Sequence, residues 1–267
     1  MICKDAPTPA STMTTLRLVQ FTDTHLLTEP TARFRGMRTR PSLEACIADA
    51  SRRAFPADAI VVTGDLVQDE PEAYGWLELF LAPLGAPVLV IAGNHDLPDE
   101  IRRRFSQRPF QAGGTFVLGS WLLVLLDTWV ASSRDGEGRL GSAALEALDA
   151  TLSARADRHV LVALHHPPVA MGATALDALG LVDAEDFTRI VDRHVCVKGV
   201  LWGHAHQGLD VYRGAVRWMC TPSTCMQFRP RTPKFEIDDR PPGYRILDLH
   251  ADGSLSSEVI WLEGYKE

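Results

Sequence analysis

Five short apolar runs in this chain each end on a cluster of Asp, Asn or His. Leu16 to Phe21 leads into Asp23-Thr24-His25, and Ala59 to Val62 into Gly64-Asp65. Val88 to Ile91 leads into Gly93-Asn94-His95-Asp96, Val160 to Leu164 into His165-His166, and Val197 to Trp202 into Gly203-His204-Ala205-His206. Runs this short, rich in Val, Ile and Leu, read as buried strands. Helical spacing fills the intervals. Ser42 is placed to cap a segment burying Leu43, Ile47 and Ala50, and Asp69 to cap one with Pro71 in its first turn and Trp76, Leu77, Phe80, Leu81 and Leu84 as apolar positions. Pro98 opens a short helix through Arg104, Ser142 opens one with Leu145, Leu148 and Leu152 on one face, and 183–194 is a further helical segment. This alternation predicts an α/β architecture, in which ligands bind at the carboxyl ends of the strands. The polar clusters follow the strands in all five cases, so residues far apart in sequence can converge on one crevice. Gly64, Gly93 and Gly203 stand at strand ends, where a sharp turn or a close backbone approach favours glycine.

The remaining chain is read more coarsely. Trp121 to Leu126 is a further apolar run, ending at Asp127. Leu209–Tyr212 with Val216–Cys220, and Tyr244–Leu249 with Glu258–Leu262, read as two hairpins. Residues 222–243 form a proline-bearing loop, long enough to serve as a substrate-side lid or a dimer contact. Residues 1–14 read as a flexible tail with no apolar segment of a secretory signal, and Met13 is an alternative start. Residues 15–267 read as one domain, since no Gly/Ser-rich or Pro-rich linker interrupts them.

Charge and cysteine content narrow the function classes. Formal net charge is −7, which disfavours general nucleic-acid binding but leaves room for a local cationic site made by metals. Five cysteines without a C-x-x-C pair fit a reduced, cytoplasmic location, with Cys220 and Cys225 as buried thiols in preference to a disulfide. No run approaches the roughly 20 apolar residues of a membrane span.

The five clusters hold six of the nine histidines. Imidazole nitrogens with hard oxygens are the donor set of borderline divalent metals, without a thiolate, so Fe, Mn, Zn and Co all suit it. Asp23 and His25 are separated by one residue, and in an extended segment both would face one ion. His204 and His206 share that spacing and could face one metal, or two adjacent ones if the segment turns. Asp65 can bridge, Asn94 supplies a carbonyl oxygen and His165 a further imidazole. Two divalent ions held by only two carboxylates keep a net positive charge. Such a pair would hold a bridging hydroxide and attract a phosphate oxygen. His95 follows Asn94 directly and would point away from the metal that Asn94 binds. It is a candidate catalytic residue that contacts substrate beside Asn94, steadying the transition state or protonating the leaving alkoxide. Asp96 and Asp127 are placed as acceptors that orient neighbouring histidines. His165 is favoured as ligand over His166, which is left as a supporting or surface residue. Arg102-Arg103-Arg104 reads as a solvated helix face.

The ordered set Asp23-x-His25, Gly64-Asp65, Gly93-Asn94-His95-Asp96, His165 and Gly203-His204-x-His206 resembles the calcineurin-like metallophosphoesterase signature. The resemblance implies a four-layered αββα sandwich with a dinuclear metal site at the strand ends. It implies Asp23, His25, Asp65 and His206 on one metal, Asp65, Asn94, His165 and His204 on the other, and His95 as catalytic histidine. After Gly64-Asp65 the chain lacks the tyrosine of purple acid phosphatases and the Asp-Arg-Gly of protein Ser/Thr phosphatases, while His165-His166-Pro167-Pro168 is similar to class III cyclic nucleotide phosphodiesterases. The stretches 221–228 and 238–245 are similar to bacterial enzymes of the CpdA type. That resemblance implies two metals per subunit, Fe or Mn first, a homodimer, and hydrolysis of 3′,5′-cyclic AMP to 5′-AMP by a metal-bridging hydroxide. A glycerophosphodiester or a 2′,3′-cyclic nucleotide is the alternative substrate, because the motifs grip phosphate rather than the leaving group. A non-catalytic nucleotide- or metal-sensing protein is the alternative from another class.

Overall fold

The computed structural model of the protein describes residues 15–131 and 136–266. The expectations for the N-terminal tail and Met13 lie outside the described residues. Strand β1 (Leu16–Phe21) leads through a small hairpin, β2 (Arg33–Phe34) and β3 (Met37–Arg38), into helix α1 (Thr39–Arg53) and strand β4 (Ala59–Thr63). Helix α2 (Tyr74–Leu81), strand β5 (Val88–Ile91), helix α3 (Pro98–Arg104) and strands β6 (Phe110–Ala112), β7 (Gly114–Leu118) and β8 (Trp121–Leu125) follow. Then come α4 (Gly141–Ala154), β9 (His159–Ala163), α5 (Thr174–Asp177), α6 (Ala184–Arg193), β10 (Val197–Trp202), β11 (Leu209–Arg213) and β12 (Val216–Cys220). The chain closes with β13 (Gln227–Phe228), β14 (Ile237–Asp238), β15 (Gly243–Leu249) and β16 (Leu255–Trp261).

Two six-stranded sheets result, in the orders β16-β15-β1-β4-β5-β6 and β11-β12-β10-β9-β8-β7. The strands that carry the polar clusters are the central, parallel ones: β1, β4 and β5 in the first sheet, β9 and β10 in the second. Their side chains alternate between two buried faces, which is why their sequences are continuously apolar. In the first sheet Val19, Phe21, Ile60, Val62, Val88 and Val90 face the helices, packed with Leu43, Ile47, Leu77, Leu81 and Ile101. In the second, Leu122, Val124, Val160, Val162, Val200 and Trp202 pack with Leu145, Leu148, Leu152, Phe187 and Ile190. The intervening residues, among them Leu18, Val61, Leu89, Ile91, Leu123, Leu125, Leu161 and Leu201, meet between the sheets. The layers are helix, sheet, sheet, helix, as the motif resemblance implied.

Polar groups join the two sheets at one edge. The Arg245 side chain is fully buried and donates to the carbonyls of Leu209 and Cys220, to Thr221 Oγ1, to Ser257 Oγ and to Asp210 Oδ2. A buried guanidinium with this many acceptors avoids the cost of an unpaired buried charge.

Several helix boundaries differ from the sequence reading. Helix α1 begins three residues before Ser42, at Thr39. Pro41 is tolerated there because first-turn N–H groups have no intrahelical acceptor. Ser42 is therefore inside the helix, and its hydroxyl donates to Thr224 O at 2.5 Å, tying helix α1 to the 222–243 loop. Asp69 does not cap α2 either: its φ is +58°, its carboxylate turns toward Gln68 and His95, and Glu70 precedes the 3-10 turn Pro71–Ala73. Helices α3, α4 and α6 fall where the periodicity placed them, within a residue. The 222–243 loop contains the two-residue pair β13–β14. Cys46, Cys196, Cys220 and Cys225 are all buried free thiols. Among the described residues no helix is long and apolar enough to cross a membrane.

An ion cluster at the protein surface, around the buried Asp49, supplies a stability prediction. Asp49 of α1 accepts from Tyr244 Oη at 2.9 Å, Arg53 Nε at 2.7 Å and Arg52 Nη2 at 2.8 Å. Burial works against its charge, but the Tyr244 hydroxyl and the two guanidinium groups hold its carboxyl below the usual carboxylate range. A depressed folded-state pKa gives stability that is full above the unfolded value of about 3.9 and fades as pH drops through the folded value. Asp49→Asn should lower unfolding free energy by about 1–2 kcal/mol at neutral pH. In urea melts the gap to wild type should narrow as pH falls below the unfolded value of about 3.9. A gap that is constant with pH would contradict the charge assignment.

Candidate metal centre

All seven sequence-predicted ligand residues and His95 come together at the carboxyl ends of β1, β4, β5, β9 and β10. Their side chains form two adjoining nests. In the first, His206 Nε2 lies 3.4 Å from Asp23 Oδ1 and 3.1 Å from His25 Nε2, and His25 Nε2 lies 3.7 Å from Asp65 Oδ2. In the second, His165 Nε2 lies 3.5 Å from Asp65 Oδ1, 3.3 Å from Asn94 Oδ1 and 3.2 Å from His204 Nδ1, which is itself 3.0 Å from Asn94 Oδ1. Asp65 turns one carboxylate oxygen to each nest. The donors of the first nest and Asp65, His165 and His204 of the second are buried.

Hydrogen bonds on the far side of the rings decide what these nitrogens can do. His25 Nδ1 donates to Gln68 Oε1 at 2.8 Å, His206 Nδ1 to Met226 O at 2.7 Å, and His165 Nδ1 to Thr63 O at 2.7 Å. A neutral imidazole has one N–H, so Nε2 of His25 and of His206 is left with a lone pair, and Nε2 of His165 likewise once a cation displaces its second proton. The Nε2 atoms of His25 and His206, 3.1 Å apart, then have no proton to share. Lone pairs converging with carboxylate oxygens on one point are the arrangement of ligands around a cation, with outer carbonyls fixing the tautomer. The donor set therefore fits two divalent ions.

Burial and Asp65 set the charge states. Burial pulls His25 down to about 3 and His204 down to about 3, so both are neutral ligands over the physiological range. Burial also opposes charge on His165, but the Asp65 carboxylate outweighs it and carries this group up to about 9. Asp65 is correspondingly held well below the usual carboxylate range against its burial, first by His165. A cation in the second nest would replace that proton.

The backbone here is unusual. Asp23, His25, Asp65, His204 and His206 all have left-handed φ, between +43° and +62°. The Asp23–His25 and His204–His206 segments are thus not extended, and the alternation argument does not explain why they converge. Left-handed residues at alternate positions turn the chain instead, which sends His204 and His206 to different nests. Non-glycine residues in this region carry strain, and such strain clusters at functional sites. Gly64, at φ +91°, precedes Asp65; a Cβ there would run into the His165 ring. Gly93 lies against the Asp65 side chain, which bars any larger residue.

His95 stands at the edge of the first nest, with a ring nitrogen within 4.8 Å of the facing atoms of His25 and Asp65. Its ring is edge-on to His25 at 5.5 Å and one-third of its side chain is exposed. Its backbone N–H donates to Asp65 Oδ1 at 3.0 Å. Gln68 Nε2 donates to His95 Nδ1 at 2.7 Å. Asp69 Oδ2 lies 3.2 Å from the same Nδ1; with the Gln68 amide donating there, His95 carries its proton on Nε2, the tautomer opposite to that of His25. Sequence reasoning did not single out Gln68, although it lies three residues after Asp65.

Two sequence expectations need correction, and one open alternative, at His166, narrows to a supporting role. Asp96 orients no histidine. Its carboxylate accepts from the backbone amides of Leu66, Val67 and Gly93 and from Tyr74 Oη, knitting the Gly64-Asp65 and Gly93-Asn94 turns together. Burial, then the charge of Asp65, pushes it up to about 7 against those donors. Asp127 also reaches no histidine, because β8 ends two residues earlier; it is exposed and accepts from Trp129 N. His166 is not a surface residue: it is fully buried, its Nε2 donates to Gly136 O and its Nδ1 accepts from Thr128 Oγ1. Both ring nitrogens are thereby engaged, which leaves His165 as the available donor. Arg102, Arg103 and Arg104 pair with Asp99 and Glu100 on the surface, as a solvated helix face should.

Comparison with known proteins agrees with this geometry. The family model for calcineurin-like phosphoesterases matches residues 16–208. The chain belongs to the calcineurin-like phosphoesterase family. Among relatives of this phosphoesterase, a 3′,5′-cyclic adenosine monophosphate phosphodiesterase CpdA of Pseudomonas aeruginosa is 36% identical over 94% of this chain and 92% of its own length. The CpdA of Escherichia coli K12 is 35% identical over 91% of this chain and 89% of its own length. Among solved structures, a dimetal phosphatase of Danio rerio superposes with a TM-score of 0.65 at 12% identity, covering 92% of this chain and 98% of that one, which is a likeness of fold.

The position of Asp65 predicts how metal binding fails. Asp65→Ala should abolish binding of both ions, since each nest loses an oxygen. His165→Ala should weaken binding in the second nest alone. Elemental analysis after equilibration with Mn²⁺ should give close to zero ions for the first variant and about one for the second. Equal stoichiometry in the two variants would refute the shared-ligand geometry.

Proposed function

We propose that this phosphoesterase hydrolyses 3′,5′-cyclic AMP to 5′-AMP, with Asp23, His25, Asp65 and His206 holding one divalent ion and Asp65, Asn94, His165 and His204 the other. The observation that carries the substrate is the match to CpdA-type relatives over more than nine-tenths of this chain, at 35–36% identity. Two ions held in these nests would supply Lewis-acid activation of water and of phosphate oxygens. Nitrogen and oxygen donors suit Fe, Mn, Zn and Co alike; Fe or Mn comes first on the family resemblance.

The chain's own part in the reaction follows from His95. Water adds to phosphorus, the P–O3′ bond breaks, and the leaving 3′-oxygen needs a proton. With Gln68 fixed on Nδ1, His95 presents Nε2–H to the cavity that the two nests share. His95 passes that proton to the 3′-oxygen and takes up the one that the attacking water releases, so the ring ends as it began, and the nearby Asn94 amide helps hold the phosphate. Buried, neutral His25 and His204 take no part in proton transfer. No Ser or Cys nucleophile is needed.

His95→Ala should retain both ions and lose about 10²–10⁴-fold in kcat. Gln68→Glu keeps the acceptor for His25 but removes the donor to His95, and a smaller fall in kcat is expected. Full activity of His95→Ala would exclude the proton-donor role. Steady-state turnover by Mn-loaded protein on 3′,5′-cyclic AMP, 2′,3′-cyclic AMP and glycerophosphoethanolamine tests the substrate. Preference for either of the last two would replace it.

A further inference from the structure

We infer that Arg35, Phe228 and Phe235 form a subsite for the planar heteroaromatic base of a nucleotide whose phosphate occupies the nests. This rests on the phosphodiesterase reading above and adds to it the recognition of the leaving nucleoside.

The subsite is built from two segments far apart in sequence. Arg35 is at the tip of the β2–β3 hairpin, and Phe228 and Phe235 belong to the 222–243 loop. All three line the same cavity of about 250 Å³ as His25, Asn94 and His206. That volume is just under the roughly 300–1,000 Å³ of ordinary ligand pockets, so it encloses part of a nucleotide and leaves the rest at its rim.

Three observations point to a base. Arg35 is exposed and has no carboxylate partner among the described residues, whereas the surface arginines of α3 are paired. Its guanidinium instead lies 5.5 Å from the Phe34 ring centre and 5.7 Å from that of Phe228, a planar cation steadied by two ring faces. A guanidinium held this way is a ready stacking plane with free N–H donors at its edge, matching the π-face and ring nitrogens of a base. The backbone holds it there at a cost. Arg35 and Gly36, at φ +46° and +92°, make the two-residue turn with two positive φ values for which Asn or Gly is usual at the first position. Finally, Phe235 is 44% exposed at the rim, edge-on to Phe228 at 5.3 Å. A guanidinium alone also binds phosphate; the exposed aromatic beside it is what suits stacking on a base.

The test compares 5′-AMP with ribose 5-phosphate as ligands of the Mn-loaded protein, by calorimetry. Wild type should bind 5′-AMP about tenfold or more tightly than ribose 5-phosphate, the scale of one base stacking on a side chain. Arg35→Ala and Phe235→Ala should each bring that ratio toward one while metal content stays at two ions. Phe235 is at the rim and away from the ligands, so its variant serves even if Arg35→Ala unfolds. A wild-type ratio near one, or an unchanged ratio in Phe235→Ala, would overturn the subsite. Wild-type turnover of 3′,5′-cyclic AMP is read separately. Base preference without turnover would sink the phosphodiesterase reading and leave the subsite standing, and turnover without base preference would do the reverse.

Discussion

The site depends on hydrogen bonds made on the far side of its imidazoles. Thr63 O, Met226 O and Gln68 Oε1 each take the Nδ1 proton of one histidine and turn that ring's Nε2 lone pair inward. These acceptors come from β4, from the 222–243 loop and from the turn after Asp65. Sheet, loop and turn must all be in place before three lone pairs can share a small volume. Without those acceptors the protons could sit on Nε2, and the rings would hydrogen-bond to one another instead of converging as ligands. The 222–243 loop is itself anchored by Thr224 N to Thr22 O, by Ser223 Oγ to Asp23 O and by Ser42 Oγ to Thr224 O. The loop that holds His206 is thus tied back to the strand that supplies Asp23.

Five left-handed residues in one site are an energetic burden of about 1–3 kcal/mol each by general experience of such conformations. Packing on both sides of the central strands offsets it, since those strands cannot shift without opening two cores. The local backbone has specific compensation as well. His204 N donates to both Asp23 carboxylate oxygens at 3.0 Å, Asp23 N donates to Gly64 O, and His25 N donates to Asp65 O. Asp96 binds the amides of the two turns that carry Asp65 and Asn94. The carboxylates that look like metal ligands or proton carriers in the sequence therefore divide by partner: Asp23 and Asp65 face the nests, and Asp96 faces backbone.

Much of this was legible in the sequence. The five strands, the convergence at their carboxyl ends, and the seven candidate ligands with His95 follow from apolar runs ending in Asp, Asn and His, and the two sheets follow from the family resemblance. What escaped was set by tertiary contact. Nothing in Asp96 or Asp127 shows which polar atoms the fold will bring near them, and spacing alone cannot separate a strand from a left-handed turn at Asp23-Thr24-His25. Ser42 looks like a cap, but the helix starts at Thr39 and the hydroxyl is taken by Thr224 O. The short β2–β3 hairpin is too small to show periodicity, although Arg35-Gly36 is a turn signal in hindsight. Gln68 carries no local mark of its role, which exists only because His25 and His95 arrive on either side of its amide.

The nests draw candidate ligands from both sheets: Asp23, His25, Asp65 and Asn94 from one, His165, His204 and His206 from the other. An ion in either nest is therefore also a rivet across the seam of the sandwich. Whatever free energy binds it to the native chain is withheld from the unfolded one, so occupancy and global stability are thermodynamically linked. In a cell short of its metal, such a protein would lose activity and resistance to unfolding together, and its abundance would report on metal supply as directly as its turnover.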